Sequence, residues 1–126
     1  MQRRQNFNFL KEELKSFSDF FELPVATEKS DPSWFGFPIT LNPDADINRN
    51  DMVAYLNDNK IGTRLLFAGN VTKQPYMKGQ EYRVIGDLKN SDLAMTNLFW
   101  VGVQPALTRE MLDYTATKIE EFLGHF

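Results

Sequence analysis

The first segment of the chain has apolar residues spaced alternately three and four positions apart. They are Phe7, Leu10, Leu14, Phe17 and Phe21. This spacing places side chains on one face of a helix, so it predicts an amphipathic helix over residues 6–22 that ends before Pro24. Phe9 and Phe20 widen the apolar face. We interpret the segment as a core helix, with the alternative that part of its face packs against something outside this chain.

A period of two replaces the helical period in FGFPITL, residues 35–41. Alternating apolar residues predict a strand with one buried face. Pro38 has no backbone N–H, which favours an edge strand over a central one. Asn48 follows in a polar loop and is a good N-cap, so a helix is predicted over residues 49–58.

A second strand is predicted over residues 61–67, and the stretch 68–87 after it has only weak periodicity. Within that stretch a short strand at 82–85 fits the residue types, and Ser91 is expected to cap a short helix through Met95.

The end of the chain has a clearer pattern. LFWVGV, residues 98–103, is a continuous apolar run and predicts a buried strand. Thr108 is expected to cap the last helix, and Gly124 to end it. The order of helices and strands predicts one compact α/β layer domain over residues 1–126, with helices packed on a small sheet.

Composition narrows the function. Seventeen acidic and fourteen basic residues give a net charge of −3 with no basic stretch, which argues against nucleic-acid or anionic-membrane partners. No apolar run approaches the ~20 residues of a membrane span. The chain has no cysteine, so it can form neither a disulfide nor thiolate ligation of zinc or iron–sulfur clusters. We expect a cytoplasmic protein.

Motifs for catalysis are missing from the sequence. It has no phosphate-binding glycine loop, HExxH or GxSxG motif. The single histidine, His125, is penultimate and is expected to be frayed. Asp44 and Asp46 are expected to be solvated loop charges, because a cation site needs further oxygen ligands. No metal site and no catalytic residue are predicted in this chain.

Two short stretches suggest binding. In TRLLFAGNVTKQPY, residues 63–76, Arg64 could bind a carboxylate or phosphate in a bidentate way, and Gly69 would let a ligand approach the backbone. The alternative for Arg64 is an ion pair with an internal carboxylate. In SWFGF, Trp34 and Phe35 are neighbours and should point to opposite faces of a strand, so Trp34 is expected away from the core, exposed or covering something flat.

These stretches also carry a resemblance that extends over almost the whole chain. SDPSWFGFPITL, NKIGTRLLFAGNVTKQPYM and FWVGVQPALTREMLDYTATKIEEFLG closely resemble the C-terminal region of the DegT/DnrJ/StrS sugar-aminotransferase family. LLFAGNxTxQPY and SWFGFPI are similar to its pyridoxamine-phosphate-dependent nucleotide-sugar 3-dehydrase branch. Ala106 stands where that branch is expected to have glycine, which affects only the local turn.

The resemblance implies the fold and the activity. The fold would be the small C-terminal domain of type I aspartate aminotransferases, with helices on a small, mostly antiparallel or mixed sheet. The parent enzyme would remove the C3 hydroxyl of a 4-keto-6-deoxy CDP-sugar in dideoxysugar and lipopolysaccharide biosynthesis, although a GDP-linked substrate stays open. Its cofactor would be pyridoxamine or pyridoxal phosphate.

The resemblance also implies partners. Family members are about three times longer, so a large cofactor-binding domain of the same polypeptide would be absent here. The parent would be a homodimer that binds a nucleotide sugar, and its absent part would hold a 2Fe–2S cluster in the CDP-sugar enzymes. No cofactor is expected on this chain alone, which should be inactive.

Site residues follow from the motif match. The resemblance implies substrate contacts at Arg64, Phe67, Asn70 and Gln74, and places Trp34 and Phe35 near the cofactor. Two alternatives remain: a pyridoxal-phosphate-dependent sugar aminotransferase, which needs a lysine in the absent domain, and a stand-alone module that binds a partner or nucleotide sugar without chemistry.

Overall fold

The computed structural model describes residues 1–124, so His125 lies outside the described residues. The helices are α1 (Gln2–Leu14), α2 (Arg49–Asp58), α3 (Lys89–Asn97) and α4 (Arg109–Leu123). The strands are β1 (Phe21–Glu22), β2 (Gly36–Leu41), β3 (Thr63–Leu65) and β4 (Leu98–Gly102). Short 3₁₀ turns lie at Lys15–Phe17, Val71–Lys73 and Pro75–Met77.

The four strands form one antiparallel sheet in the order β1-β2-β4-β3. Residues that pair across antiparallel strands share a face of the sheet. One face carries the pairs Phe37–Val101, Ile39–Phe99 and Thr63–Val101. All five of these side chains are buried. This is the core face, and it confirms the predicted small antiparallel sheet.

The core lies between this face and three helices. The buried cluster includes Phe7, Leu10 and Leu14 of α1, Met52 and Leu56 of α2, and Leu112, Ala116, Ile119, Phe122 and Leu123 of α4. The predicted caps are confirmed at α2 and α4, where the side chains of Asn48 and Thr108 accept hydrogen bonds from the backbone N–H groups of Asn50 and Met111. The interpretation of the first segment as a core helix is therefore confirmed.

A buried asparagine joins the start of α1 to the end of β4. Asn6 is 2% exposed, and its Nδ2 donates to the carbonyl oxygens of Val103 and Gln104 at 3.3 and 2.9 Å. Its Oδ1 accepts from Gln2 Nε2 at 2.9 Å. These bonds satisfy a polar group that would otherwise be costly to bury.

The first predicted helix is too long. The α-helix ends at Leu14, a 3₁₀ turn follows, and Phe21 begins β1, where it pairs with Leu41. Phe21 is buried in the core, as the apolar spacing predicts, but it belongs to a strand and not to the helix. Tertiary pairing therefore overrides helical periodicity at this point.

Other boundaries also differ. β2 is an internal strand, although β1 pairs only with Thr40 and Leu41, so β2 has no neighbour on that side at Pro38. The predicted strand 61–67 is only three residues long, and residues 82–85 form no strand. Ser91 lies inside α3 rather than at its cap.

Candidate functional site

The second face of the sheet carries no helix-packed core. Its cross-strand pairs are Gly36–Gly102, Pro38–Trp100, Thr40–Leu98 and Arg64–Trp100. We call this the open face. None of its residues belongs to the buried apolar cluster formed within residues 1–124. Trp100 stands at its centre, opposite Pro38 on one side and Arg64 on the other.

Trp100 was not singled out by the sequence. The run LFWVGV suggested a strand buried on both faces, whereas only Phe99, Val101 and Val103 are buried and Trp100 is half-buried. Gly36 permits this position, because the indole ring occupies the space that a Cβ on Gly36 would need. Strict alternation along the run could have identified Trp100, since it falls between two core residues.

Phe35 and Trp34 diverge at the start of β2. Phe35 is 70% exposed and packs edge-on against Trp100, with ring centroids 5.2 Å apart. Trp34 instead stacks on Phe7 at 5.1 Å, nearly parallel, and packs against the core cluster. The expected orientation of Trp34 away from the core is wrong, because β2 begins only at Gly36 and strand alternation does not extend back to residue 34. It does cover a flat surface, the ring of Phe7.

Arg64 is exposed and forms no ion pair with a carboxylate of residues 1–124. Its Nη1 donates to the backbone carbonyl of Thr63 at 2.9 Å. An exposed guanidinium without a carboxylate partner keeps its charge and most of its donors for another group. The internal ion pair considered for Arg64 is therefore not formed within this part of the chain.

A loop over residues 66–77, which we call the Phe67 loop, follows β3. Phe67 has φ 38°, in the left-handed region that aromatic residues rarely adopt, and its side chain is 85% exposed. Its backbone N–H donates to the Leu65 carbonyl at 2.8 Å. A strained backbone conformation persists only where the surrounding structure holds it, and such residues cluster at active and ligand-binding sites.

Gly69 is needed for packing within the protein. Its φ is 60°, and a Cβ added there would lie 2.5 Å from Met95 Cβ and 2.6 Å from Met95 Cα. The Gly69 N–H donates to the Leu66 carbonyl at 2.7 Å. The expected reason for Gly69, close approach of a ligand, is replaced by close approach of α3.

Two predicted contact residues organise the Phe67 loop. Asn70 is 3% exposed; its Nδ2 donates to Asp92 Oδ1 at 2.7 Å, and its Oδ1 accepts from the Thr72 backbone and hydroxyl. Gln74 Nε2 donates to the Ala68 carbonyl at 2.7 Å. A substrate contact by either side chain stays a prediction, whereas Arg64 and Phe67 are already accessible.

Exposed apolar side chains concentrate in one region. Among residues 1–124, eight of the thirteen exposed large hydrophobic residues lie between positions 65 and 85: Leu65, Leu66, Phe67, Val71, Tyr76, Tyr82, Val84 and Ile85. Phe35 adds a ninth beside Trp100. Residues 65–85 therefore carry most of the exposed large apolar side chains in the described part of the chain.

Concavities in the described part of the chain include a groove and a shallow depression. An apolar groove of about 690 Å³ lies between α4 and the β3–β4 end of the sheet, lined by Gly62, Gly102, Met111 and Tyr114 among others. A shallow depression of about 490 Å³ lies beside Arg64 and Asn57. That no cofactor binds this chain alone stays a prediction.

Metal binding has no support in the described residues. No group of three or more His, Asp or Glu side chains among residues 1–124 could hold a metal ion, and both Asp44 and Asp46 are exposed. No helix in that range is long and apolar enough to cross a membrane.

Solved structures share this fold. The aminotransferase from Psychrobacter cryohalolentis superposes with a TM-score of 0.86 at 14% identity, over 98% of this chain and 34% of that one. E. coli GDP-4-keto-6-deoxy-D-mannose-3-dehydratase with bound hydrated PLP superposes with a TM-score of 0.81 at 24% identity, over 93% of this chain and 30% of that one. The architecture is therefore a portion of the aminotransferase fold.

The sequence relationship is more specific. The chain belongs to the DegT/DnrJ/EryC1/StrS aminotransferase family, whose profile matches residues 1–120. It is 56% identical over 98% of its length to lipopolysaccharide biosynthesis protein RfbH of Salmonella typhimurium. It is 46% identical over 97% to dTDP-4-dehydro-2,6-dideoxy-D-glucose 3-dehydratase of Saccharopolyspora spinosa. The chain spans 28% and 26% of the lengths of these relatives.

Proposed function

We propose that this chain is the C-terminal domain of a pyridoxamine-phosphate-dependent nucleotide-sugar 3-dehydratase. The reaction is removal of the C3 hydroxyl from a 4-keto-6-deoxy sugar, with a CDP-linked sugar as the substrate. The observation that carries the proposal is the 56% identity to RfbH over nearly the whole chain. The name of the S. spinosa relative, a sugar 3-dehydratase, supports the same reaction class.

The role of this domain in the reaction is to bind substrate and cover the cleft. Arg64 supplies a planar cation suited to a phosphate of the nucleotide sugar. Phe67 supplies an exposed ring, and Phe35 with Trp100 supplies an aromatic edge beside the cofactor. Trp34 supports Phe35 indirectly, through its stack on Phe7. Asn70 and Gln74 stabilise the conformation of the Phe67 loop.

The proposed partner is a large domain of the same polypeptide, which covers the open face and the region 65–85. That domain carries the cofactor site and, in a CDP-sugar enzyme, the 2Fe–2S cluster; the full-length protein is a homodimer. The cytoplasmic location expected from the sequence stays a prediction. No chemical step is assigned to residues 1–124, because the proposal places the reacting groups in the large domain.

The test is a comparison of this chain with the product of its complete reading frame. We expect the complete protein, with histidine at the usual cofactor-lysine position, to dehydrate CDP-4-keto-6-deoxyglucose when supplied with pyridoxamine phosphate. The 126-residue chain alone should give no turnover.

Three results would contradict the proposal. A lysine at the cofactor position together with amino transfer would make the protein a sugar aminotransferase. A reading frame without a cofactor domain would leave a non-catalytic binding module. Dehydration by the pure 126-residue chain would place the catalytic groups here.

A further inference from the structure

We propose that Asp92 is a positioning residue for substrate binding, acting through the Phe67 loop. The inference rests on the proposed function, because it concerns how Arg64 and Phe67 are held toward a nucleotide sugar. Asp92 lies in the first turn of α3 and is far from both residues in sequence. Its carboxylate nevertheless makes two polar contacts with the loop that carries Phe67.

The contacts converge on one carboxylate oxygen. Asp92 Oδ1 accepts from Asn70 Nδ2 at 2.7 Å and pairs with Lys73 Nζ at 2.8 Å. The hydrogen bonds from Lys73 and then from Asn70 lower the pKa of the Asp92 carboxyl below its ordinary value, so the group is charged at neutral pH. The ion pair is partly exposed and contributes little, whereas the bond from the buried Asn70 amide is charge-assisted.

Loss of the carboxylate would leave a buried donor unpaired. Asn70 is 3% exposed, and its Oδ1 is already engaged with Thr72 at the start of the 3₁₀ turn Val71–Lys73. Without Asp92, the amide Nδ2 loses its charged acceptor, and the turn loses one of the hydrogen bonds that hold it on α3. We call the contacts of Asp92 with Asn70 and Lys73 the polar anchor. It stabilises the turn that follows Phe67 and Gly69.

α3 is a fixed support for this anchor. It runs directly into β4 at Leu98, and Asn97 Nδ2 donates to the Leu41 carbonyl of β2 at 3.0 Å. Arg49 Nη1 of α2 donates to the Leu98 carbonyl at 3.1 Å. Gly69 packs directly on Met95, one helical turn beyond Asp92. The Phe67 loop therefore contacts α3 at Asp92 and at Met95, and α3 is hydrogen-bonded to the sheet through Asn97.

The strained backbone at Phe67 explains why such an anchor is needed. A left-handed φ of 38° is unfavourable for phenylalanine, and Phe67 is 85% exposed, so packing of its ring does little to hold this conformation. The polar anchor and the Gly69–Met95 contact offset this backbone strain by holding the residues that follow Phe67. If the anchored conformer binds substrate, a fall in its population raises the apparent dissociation constant by the same factor.

The first measurement uses hydrogen exchange on the 126-residue chain. Asp92→Ala should raise exchange of the amides in residues 66–77 by about tenfold, because a charge-assisted bond to a buried amide is lost. Exchange in β4 should be unchanged. Asp92→Asn retains an acceptor for Asn70 and should stay within about threefold of the wild type. Asp113→Ala is the matched control: it removes a helical carboxylate in a half-exposed ion pair with Arg109 on α4.

The second measurement uses the complete enzyme with CDP-4-keto-6-deoxyglucose. Asp92→Ala should raise KM about tenfold with kcat changed less than about twofold, and Asp92→Asn should restore KM to within about threefold. Asp113→Ala should change neither constant. A merely structural role would lower the melting temperature without this selective rise in KM.

The outcomes separate the two proposals. If the wild type turns over substrate and Asp92→Ala has an unchanged KM, the role of Asp92 is overturned and the proposed function stands. Unchanged hydrogen exchange in residues 66–77 of Asp92→Ala would overturn the role of Asp92 in the same way. Absence of wild-type turnover would overturn the proposed function, and the role of Asp92 toward substrate would fall with it.

Discussion

At the scale of single residues, Arg64 and Asn70 have similar sequence surroundings and opposite placements. Both belong to the motif that resembles the sugar 3-dehydrase branch, yet Arg64 is exposed with no carboxylate partner among residues 1–124, and Asn70 is 3% exposed with three bonds to its side chain. A motif match identifies residues that act together. It does not tell which of them contacts the ligand and which holds the backbone.

Arg64→Ala tests the contact directly. In the complete enzyme, this change should weaken binding of the CDP-sugar by roughly 1.5–3 kcal/mol, because it removes a hydrogen bond to a charged group. The free energy of unfolding should change little, since the guanidinium is exposed and its internal bond goes only to the carbonyl of the preceding Thr63.

Titration calorimetry with CDP-sugar and urea unfolding measure these two quantities. Lys15→Ala, in the 3₁₀ turn after α1, is the control, because it removes an exposed cation that is not part of the open face, in a surface pair with Glu12. A variant that unfolds while the remaining folded enzyme keeps its affinity would make Arg64 a structural residue.

At the scale of elements, the clearest long-range attachment is that of α1 to β4. Asn6 Nδ2 bonds two carbonyls, those of Val103 and Gln104, about a hundred residues away in sequence. These carbonyls lie where β4 ends and the chain turns toward α4, so a single amide fixes the start of α1 to the beginning of the α4 connection.

Asn6→Ala should lower the free energy of unfolding by about 1–3 kcal/mol, because it removes the amide donor from the Val103 carbonyl in a buried hydrogen bond. The Gln104 carbonyl keeps its bond from the Leu107 N–H. Urea denaturation of the 126-residue chain measures the change, with Asn8→Ala as the matched control on an exposed position of the same helix. Equal midpoints for Asn6→Ala and wild type would show that water replaces these bonds at no cost.

At the scale of the whole molecule, the uncovered surface is not where the sequence suggested. Phe9, Phe20 and Trp34 were the expected contributors, but all three are partly buried and packed on the core, with the Arg109 guanidinium 3.5 Å from the Phe9 ring centroid. Eight of the thirteen exposed large apolar residues in the described part of the chain lie instead between positions 65 and 85. Residues 81–85 of this region form no strand.

The isolated chain should therefore bind a hydrophobic dye or self-associate through the region 65–85. Ile85→Ser should reduce dye fluorescence, whereas Val25→Ser should not, although the two side chains are equally exposed at 74% and 75%. Dye titration and sedimentation at high concentration check this. A monomeric chain without dye binding, or equal effects of the two variants, would contradict an uncovered interface in this region.

The sequence determined by itself those features that depend on neighbours along the chain. The caps at Asn48 and Thr108 and the alternation of β2 are local relations between side chain and backbone, so they can be read from spacing. The family relationship was also carried by local motifs. The tertiary structure was needed for Phe21, whose spacing fits a helix although its pairing with Leu41 makes it a strand residue.

Only the tertiary structure decided which groups surround each site residue. Alternation with Phe99 and Val101 separates Trp100 from the core face, but its partners Pro38 and Arg64 follow from strand order. Trp34 joins the core side because the ring of Phe7 is available to it. Gly69 and Asn70 are explained by Met95 and Asp92, more than twenty residues further along the chain. The physical reason is that contacts between distant segments depend on strand order and helix packing, and no spacing within one segment encodes them.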